Sequence, residues 1–477
     1  MKKLFLIILL AAGVVACSDD LSDVNVDTKS PTEVPADVLF SNATKGLVDQ
    51  MVSTNVNRGI FKLVAQYWTE TTYTDEANYN LVERNINGAQ WTILYRDVLK
   101  DLDEAAMILS ENPDASLSEA QIQNQLAMIE VLQVFTWHVL VDTFGDIPYT
   151  EALDLENGTP VYDDDAAIYA DLVNRLDGAI AQLDAGSAGF TGGADYLYNG
   201  DAGQWSKFAN SLKLRLALRY ANVDDAKASQ MATEAIEAGV FESHADNAAM
   251  QYEASAPNTN PIWTDLVQSG RADFVAANTI VDAMNERDDP RRDDYFAENL
   301  GEGVYEGGTY GATGNTQSNS TIYSERLEDP TLEGVLLDYT EVEFLIAEAA
   351  ARGYVSEDAE AHYNEAVTSS IIYWGGTEAE ADTYLAQPEV AYDEANWVER
   401  IGVQKWIALY NRGFEAWSTW RKLDVPELPN AAQSGLPVPL RFTYPASEAT
   451  LNSDNWAAAS SAIGGDEQQT PVFWDVN

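Results

Sequence analysis

The chain has 477 residues, and its 46% hydrophobic and 10% aromatic content is that of a folded protein rather than a disordered polymer. Its 77 acidic and 27 basic residues give a formal net charge of -50. A surface of this charge repels nucleic acid and anionic membranes, so neither is expected as a partner. It also disfavours a strongly anionic substrate unless a local basic pocket exists. Adaptation to salty water accounts for the charge without a specific acidic function.

The N-terminus has the pattern of a bacterial export signal. Two lysines precede an apolar run, Leu4–Val15, which is too short to span a bilayer. The run ends at Ala16 and Cys17, and a small residue directly before a cysteine resembles a lipobox. We therefore expect 1–16 to be a signal peptide and 17–36 to be a lipidated tether. Cys17, the only cysteine, would carry the acyl chains that anchor the protein.

The segment after the cysteine is acidic. Asp19 and Asp20 resemble the signal that sends Bacteroidetes lipoproteins to the cell surface. The next acidic residues begin like a calcium loop, but Thr28 and Val34 stand where such a loop requires glycine and glutamate. We therefore reject an EF-hand.

Helical periodicity dominates the rest of the chain and predicts an all-α fold. Ser118 with Gln121 predicts a capping box, and Gly239 and Gly353 are predicted helix ends. The predicted helices cover 37–54, 58–69, 88–111, 118–143, 164–185, 202–222, 224–239, 275–287, 337–353, 357–375, 378–386 and 394–421. Helix pairs with short links predict tetratricopeptide-like stacking, and they recur at 88–143, 202–239 and 337–375.

The remaining stretches are irregular. Residues 240–274 and 300–336 are rich in Gly, Asn, Ser and Thr, and 423–477 contains six prolines. Long loops of this kind are usually functional or mobile. Because no linker is long enough to separate two units, we expect a single domain over 37–477, in which a helical scaffold carries loop-rich regions at 240–336 and 423–477.

Several segments resemble one known family in order and spacing. They are Phe144–Leu153 (FGDIPYTEAL), Tyr198–Arg215, Arg287–Arg291, Phe344–Gly353, Gly435–Asn452 and Thr470–Asp475. Together they resemble the SusD/RagB family of nutrient-binding lipoproteins over nearly the whole chain.

The resemblance implies both a fold and a function. The fold would be mostly helical, with tetratricopeptide-like pairs and a loop-rich subdomain that carries the ligand site. The protein would be lipid-anchored in the outer membrane and face the cell exterior. It would capture a nutrient, such as an oligosaccharide or polysaccharide, and deliver it to a SusC-like TonB-dependent transporter barrel. It would be no enzyme and would need no cofactor.

Sugar recognition requires flat aromatic faces together with amide or carboxylate groups for the hydroxyls. Most aromatic residues here are at helical spacing and are predicted core residues: Trp137, Trp406, Tyr410, Phe414, Trp417 and Trp420. Better candidates lie in loops or at helix ends, and part of this set resembles the family segment near the ligand site. The predicted glycan-binding residues are Trp68, Tyr73, Tyr79, Asn80, Trp263 and Tyr310.

Other functions stay open at this point. A surface glycoside hydrolase needs two carboxylates about 5 to 10 Å apart, and 77 acidic residues are enough to supply them. No hydrolase signature is present, however, and the three histidines are too scattered for a zinc site. A peptide-binding member of the same family and a purely structural transporter subunit are further alternatives. Acidic runs such as Asp163–Asp165, Asp288–Asp289 and Asp293–Asp294 are usually solvated, so no metal site is predicted.

Overall fold

The computed structural model of the chain describes residues 34–476. The predicted signal peptide, Cys17 and most of the predicted tether lie outside the described residues. The described part is mainly helical with few strands, which confirms the prediction of an all-α, tetratricopeptide-like fold.

The helices of the first half of the chain include most of the predicted scaffold. They are α1 (Ala36–Val52), α2 (Phe61–Val64), α3 (Ile86–Thr92), α4 (Lys100–Glu111), α5 (Glu119–Phe144), α6 (Asp165–Gln182), α7 (Ala202–Tyr220) and α8 (Asp225–Ala238). A π-helical segment, Ile93–Leu99, joins α3 to α4. A 3-10 turn, His244–Asp246, follows α8.

The second half alternates short helices with longer ones. They are α9 (Pro261–Trp263), α10 (Asn278–Asn285), α11 (Arg292–Tyr295), α12 (Tyr339–Ala351), α13 (Ala359–Trp374), α14 (Glu378–Leu385), α15 (Trp397–Ala408), α16 (Gly413–Leu423), α17 (Glu448–Leu451) and α18 (Ser453–Ala462). A π-helical segment, Thr264–Gln268, extends α9, and 3-10 turns lie at Glu325–Glu328 and Glu394–Asn396.

Side-chain caps begin many of the described helices. A capping oxygen accepts a hydrogen bond from a backbone N–H that has no partner in the first turn, which fixes the helix start. The surplus of aspartate suits this role, because a negative charge is favoured at the positive end of the helix dipole. The capping residues are Ser118 for α5, Asp164 for α6, Asp201 for α7, Asp224 for α8, Asp338 for α12, Asp358 for α13 and Thr377 for α14.

Neighbouring helices pack in pairs. α7 packs on α8 and α12 packs on α13, as predicted, whereas α5 packs more extensively on α6 than on α4. α5 is the one described helix that is long and apolar enough to cross a membrane, but 89% of its apolar window is buried inside the protein. Its length therefore reflects a central position in the core.

Two predicted helices differ from the structure by more than a few residues at their ends. The predicted helix 58–69 is reduced to α2, because the chain turns into a strand at Trp68. The predicted helix 394–421 is divided into α15 and α16. At the start of α16 a Cβ on Gly413 would lie 2.5 Å from the backbone carbon of Phe61, so only glycine allows this close approach.

Four short strands form two antiparallel sheets within the described residues. β1 (Trp68–Glu70) pairs with β3 (Phe274–Ala276), and β2 (Ala248–Met250) pairs with β4 (Gly334–Leu337). The first sheet joins the segment after α2 to the predicted loop region 240–274. It therefore brings together two parts of the sequence that each contain predicted glycan-binding residues.

Candidate ligand-binding groove

A polar groove lies beside the sheet of β1 and β3. It consists of two adjoining hollows with volumes of about 170 and 190 Å³. The first hollow is lined by Thr54, Asn55, Val56, Asn57, Arg84, Asp265, Ser269, Arg271, Asp273 and Phe274. The second is lined by Lys45, Asp49, Ser53, Asn55, Arg58, Pro257, Thr259, Pro261, Thr264 and Asp265. The groove thus combines the loop after α1 with the segment around α9.

Asn55 and Asp265 form the wall that the two hollows share. Asn55 Nδ2 donates to Asp265 Oδ1 at 3.0 Å, and Thr54 Oγ1 donates to Asp265 Oδ2 at 3.3 Å. Burial raises the pKa of Asp265, and these two hydrogen bonds oppose the rise. The wall is therefore held by side-chain hydrogen bonds that leave both hollows lined with polar groups.

The first hollow contains two arginines that already have protein partners. Arg271 makes a two-pronged contact with Asp273, with Nε donating to Oδ2 at 2.5 Å and Nη2 donating to Oδ1 at 3.1 Å. Arg84 Nε lies 2.5 Å from Glu76 Oε1. These ion pairs compensate the charges of Arg84 and Arg271. The remaining N–H groups of the two arginines are therefore hydrogen-bond donors in a region of little net charge.

Tyr73 stands beside the first hollow with 64% of its surface exposed. Its ring centroid is 5.9 Å from Arg84 Cζ, a cation–π arrangement. The loop is tied to β3 at its start, where Thr71 N donates to Asp273 O at 2.8 Å. Tyr73 has a φ of 57°, an uncommon conformation for a bulky side chain. Of the predicted aromatic platforms, Tyr73 is the one that presents an open face next to the groove.

Trp263 and Asn80 occupy intermediate positions. Trp263 is half-buried on α9, between the groove-lining residues Pro261 and Thr264. Asn80 is half-buried in the same loop as Tyr73, and its Nδ2 donates to Glu83 Oε2 at 3.0 Å. Neither side chain lines the groove itself.

Three predicted platforms lie in the hydrophobic core, with exposures of 2% or less: Trp68, Tyr79 and Tyr310. Trp68 Nε1 donates to Tyr410 OH at 2.9 Å, and the rings of Tyr79 and Tyr310 are 5.8 Å apart. These rings have no free face for a sugar in this structure. The expectation that they contact the ligand is therefore corrected. Their hydrogen bonds and ring contacts instead pack the loop against the core.

Two carboxyl groups are buried under the same loop. Glu70 and Glu76 are 2% and 0% exposed, and Ala77 N donates to Glu70 Oε2 at 2.9 Å. Burial is the main cause that raises the pKa of Glu70, and the neighbouring Glu76 raises it further. Arg84, which is paired with Glu76, lowers the pKa of both groups and so opposes the effect of burial.

One cluster of carboxylates elsewhere resembles a cation site. Ligand atoms of Asp146, Asp164 and Asp165 all lie within 4.8 Å of one another. Asp164 caps α6, Asp146 Oδ1 accepts from Asp165 N at 3.0 Å, and Asp165 Oδ2 accepts from Phe473 N at 2.9 Å. These backbone hydrogen bonds explain the cluster without an ion.

Sequence reasoning missed most residues that line the groove, including Asn55, Arg58, Arg84, Asp265 and Arg271. The one available signal was the scarcity of basic residues, since an arginine inside a polar loop is notable in a chain with 27 basic and 77 acidic residues. The groove itself was not visible in the sequence, because its two sides are about two hundred residues apart.

The comparisons with known proteins agree with one another. A family model, SusD-like_2, described as "Starch-binding associating with outer membrane", matches residues 28–445. A solved chitin-binding protein is 28% identical with a TM-score of 0.80, covering 93% of this chain and 100% of its own. A search of curated proteins gives no significant match.

Two further solved structures are SusD homologues. The chitin-binding homologue from Flavobacterium johnsoniae is 25% identical with a TM-score of 0.78, and the match covers 92% of this chain and 99% of that one. A homologue from Bacteroides uniformis is 28% identical with a TM-score of 0.75 and the same coverage.

Proposed function

Because the chain belongs to the SusD-like family, whose members are carbohydrate-binding proteins rather than enzymes, we propose that its groove captures a glycan at the cell surface. The cargo would be an oligosaccharide or polysaccharide. The similar chitin-binding structures make chitin oligosaccharides the first ligands to test, followed by starch oligosaccharides.

The observation that carries this proposal is Tyr73 next to a groove of hydrogen-bonding groups. An exposed aromatic ring covers the apolar face of a pyranose, and aromatic anchors provide much of the energy of many binding sites. The amide of Asn55, the hydroxyl of Ser269 and the guanidinium of Arg271 are suited to bind sugar hydroxyls. Trp263, on the other side of the shared wall, is a candidate second platform.

The proposal extends to delivery of the glycan. Cys17 would anchor the mature protein in the outer membrane, with the groove facing outward. The bound glycan would pass to a SusC-like TonB-dependent barrel, as the family resemblance implies. A site of this kind binds in the micromolar to millimolar range, about -8 to -4 kcal/mol, which is weak enough to release cargo. A gene for such a barrel next to this one would support the pairing.

The test compares Tyr73→Ala with Tyr196→Ala in protein that lacks residues 1–17 and so keeps every described residue. Tyr196 is a matched control, because it is also exposed, at 44%, and does not line the groove. We expect Tyr73→Ala to weaken glycan binding about tenfold, or about 1.4 kcal/mol, without lowering Tm. Affinity gels and calorimetry with chitin and starch oligosaccharides measure the effect.

Three other results would point elsewhere. Equal loss of binding in both variants would show that Tyr73 is not part of the binding site. Shortening of the glycan during the assay would favour the glycoside hydrolase alternative. Binding of peptides but of no glycan would favour a peptide-binding member of the family.

A further inference from the structure

Arg58 differs from every other arginine of the chain. Each of the others has a side-chain hydrogen bond or ion pair with another described residue. Within residues 34–476 the Arg58 guanidinium has none, although Arg58 is half-buried and lines the second hollow. An arginine side chain carries five N–H donors in a planar fork, so this hollow contains donors that the protein itself does not use.

The absence of a partner is unexpected for this composition. With 77 acidic and 27 basic residues, a guanidinium has many carboxylates to pair with. The other cations of the groove do so: Lys45 Nζ lies 2.5 Å from Asp49 Oδ2, and Arg84 and Arg271 pair with Glu76 and Asp273. Among the cations of the groove, Arg58 alone has no ion pair within the described residues.

The acidic residues of the second hollow are already engaged. Asp49 pairs with Lys45 and also accepts from Tyr252 OH at 2.7 Å. Asp265 accepts from Asn55 and Thr54 in the shared wall. Arg58 acts on Asp265 at longer range and lowers its pKa, but it has no ion pair within 4.0 Å among the described residues.

The backbone of Arg58 is held in place. Arg58 N donates to Asn55 O at 2.8 Å, and Gln50 Nε2 donates to Arg58 O at 2.8 Å. Gln50 is fully buried and also donates to Gln90 Oε1 at 2.6 Å. A fixed backbone reduces the entropy that is lost when the side chain binds a ligand.

We propose that the second hollow binds an acidic substituent of the glycan, a carboxylate or a sulfate ester, and that Arg58 determines this specificity. A planar guanidinium matches either group with two parallel hydrogen bonds, which lysine cannot reproduce. The hydroxyls of Ser53, Thr259 and Thr264 line the same hollow and are suited to the remaining oxygens. The inference rests on the proposed glycan-binding function and names the substrate class of that site.

The net charge of -50 is compatible with this ligand in salty water. At about 0.15 M salt the Debye length is about 8 Å, so the groove rather than the distant surface sets the field at the ligand. At about 10 mM salt the length is about 30 Å, and the whole acidic surface repels the ligand. Affinity for an acidic glycan should therefore rise from low to moderate salt and fall again near 1 M. A neutral glycan should show no such maximum.

The test uses pairs of ligands that differ at the acidic substituent. An oligogalacturonate is compared with its methyl ester, and a sulfated galactan oligosaccharide with its desulfated form, by calorimetry on protein lacking residues 1–17. We expect the wild type to bind at least one acidic form about tenfold more tightly than its neutral partner. Arg58→Gln should abolish the preference, and Arg58→Lys should keep part of it.

Arg96→Gln is the matched control, because Arg96 is exposed, pairs with Asp97 and does not line the groove. It should retain the full preference. Equal affinity for both members of each pair, or a preference that persists in Arg58→Gln, would overturn the inference. If the preference for acidic glycans is absent but neutral chitin or starch oligosaccharides bind, the proposed glycan-binding function still holds. If no glycan binds at all, both the inference and the proposed function are contradicted.

Discussion

Tyr73 and Tyr79 lie in one loop yet have opposite environments. Tyr73 is 64% exposed, whereas Tyr79 is 1% exposed, accepts from Gln66 Nε2 at 2.9 Å and contacts the Tyr310 ring. The loop has no periodicity that would assign one tyrosine to the core and the other to the surface. At the scale of single residues, the identity of a binding platform therefore depends on contacts with distant parts of the chain.

The same loop provides a pH prediction at Glu70. Its folded-state pKa is raised above the ordinary 4.5, mainly by burial, so the folded protein retains a proton that the unfolded chain loses. The stabilisation by that proton is complete below about pH 4.5 and is lost as pH rises through the folded pKa. Glu70→Gln keeps an acceptor for Ala77 N and cannot ionise. We expect it to be about 1 kcal/mol or more stable than the wild type at pH 8, because one pKa unit corresponds to about 1.4 kcal/mol.

Urea unfolding at a series of pH values between about 5 and 8, where this linkage acts, measures the difference. Glu83→Gln is the control, because Glu83 is exposed on the same loop and should leave the pH profile unchanged. A Glu70→Gln protein less stable than the wild type at pH 8 would show that Glu70 is ionised and paired.

At the scale of elements, local patterns determined most helix starts and ends. Ser118 caps α5 with the predicted capping box, and Gly239 and Gly353 have the positive φ values that end a helix, 102° and 77°. The division between α15 and α16 is different. Arg412, in the gap, reaches Asp338 at 2.6 Å and also contacts Glu341. Helical periodicity encodes neither this distant ion pair nor the close approach of Gly413 to Phe61.

Ser118→Ala tests the importance of a cap for the central helix. The variant leaves Gln121 N without its partner oxygen and loses the reciprocal contact, so we expect a loss of about 1 kcal/mol and a lower Tm. Ser116→Ala is the control, since Ser116 is exposed and its hydrogen bonds go to Asp114, outside the helix. Thermal unfolding compares them, and equal Tm values for the two variants would show that α5 is fixed by core packing alone.

At the scale of the whole molecule, buried ion pairs join helices that are far apart in sequence. Glu341 of α12 contacts Arg215 of α7 at 2.7 Å, and it also contacts Arg412. Arg219 of α7 lies 2.8 Å from Glu415 of α16. All five side chains are buried. In a chain of net charge -50, much of the scarce positive charge is thus placed inside, where each arginine neutralises carboxylates that connect the helix pairs.

Glu341→Gln should therefore destabilise the protein strongly. It removes the buried carboxylate that Arg215 and Arg412 share, leaving Arg412 with Asp338 and Arg215 with Glu415 at 3.5 Å. Removing one partner of a buried ion pair typically costs about 3 to 5 kcal/mol. Burial alone would raise the pKa of Glu341, but the two arginines overcome burial and lower it. The wild type loses this stabilisation as pH falls below about 4.5 and through the folded pKa, and the variant does not.

Urea unfolding at neutral pH measures the loss, with Glu237→Gln as the exposed control on α8. A loss below about 1 kcal/mol for Glu341→Gln would mean that the desolvation of these charges offsets their attraction.

The sequence by itself determined the all-α fold, the bounds of most helices, two of the helix pairs and membership of the family. It also predicted correctly that Trp137, Trp406, Tyr410, Phe414 and Trp417 are core residues. These features depend on local periodicity, on capping chemistry, or on segments whose order is preserved along the chain.

Only the tertiary structure decided where the candidate site lies. The groove forms because β1 pairs with β3 and because Asn55 meets Asp265, contacts that join residues about two hundred positions apart. The same contacts bury Trp68 and leave Tyr73 open, and they leave Arg58 without a partner among the described residues. Exposure and pairing are properties of the packed chain, because a side chain's neighbours are set by the fold rather than by its position in the sequence.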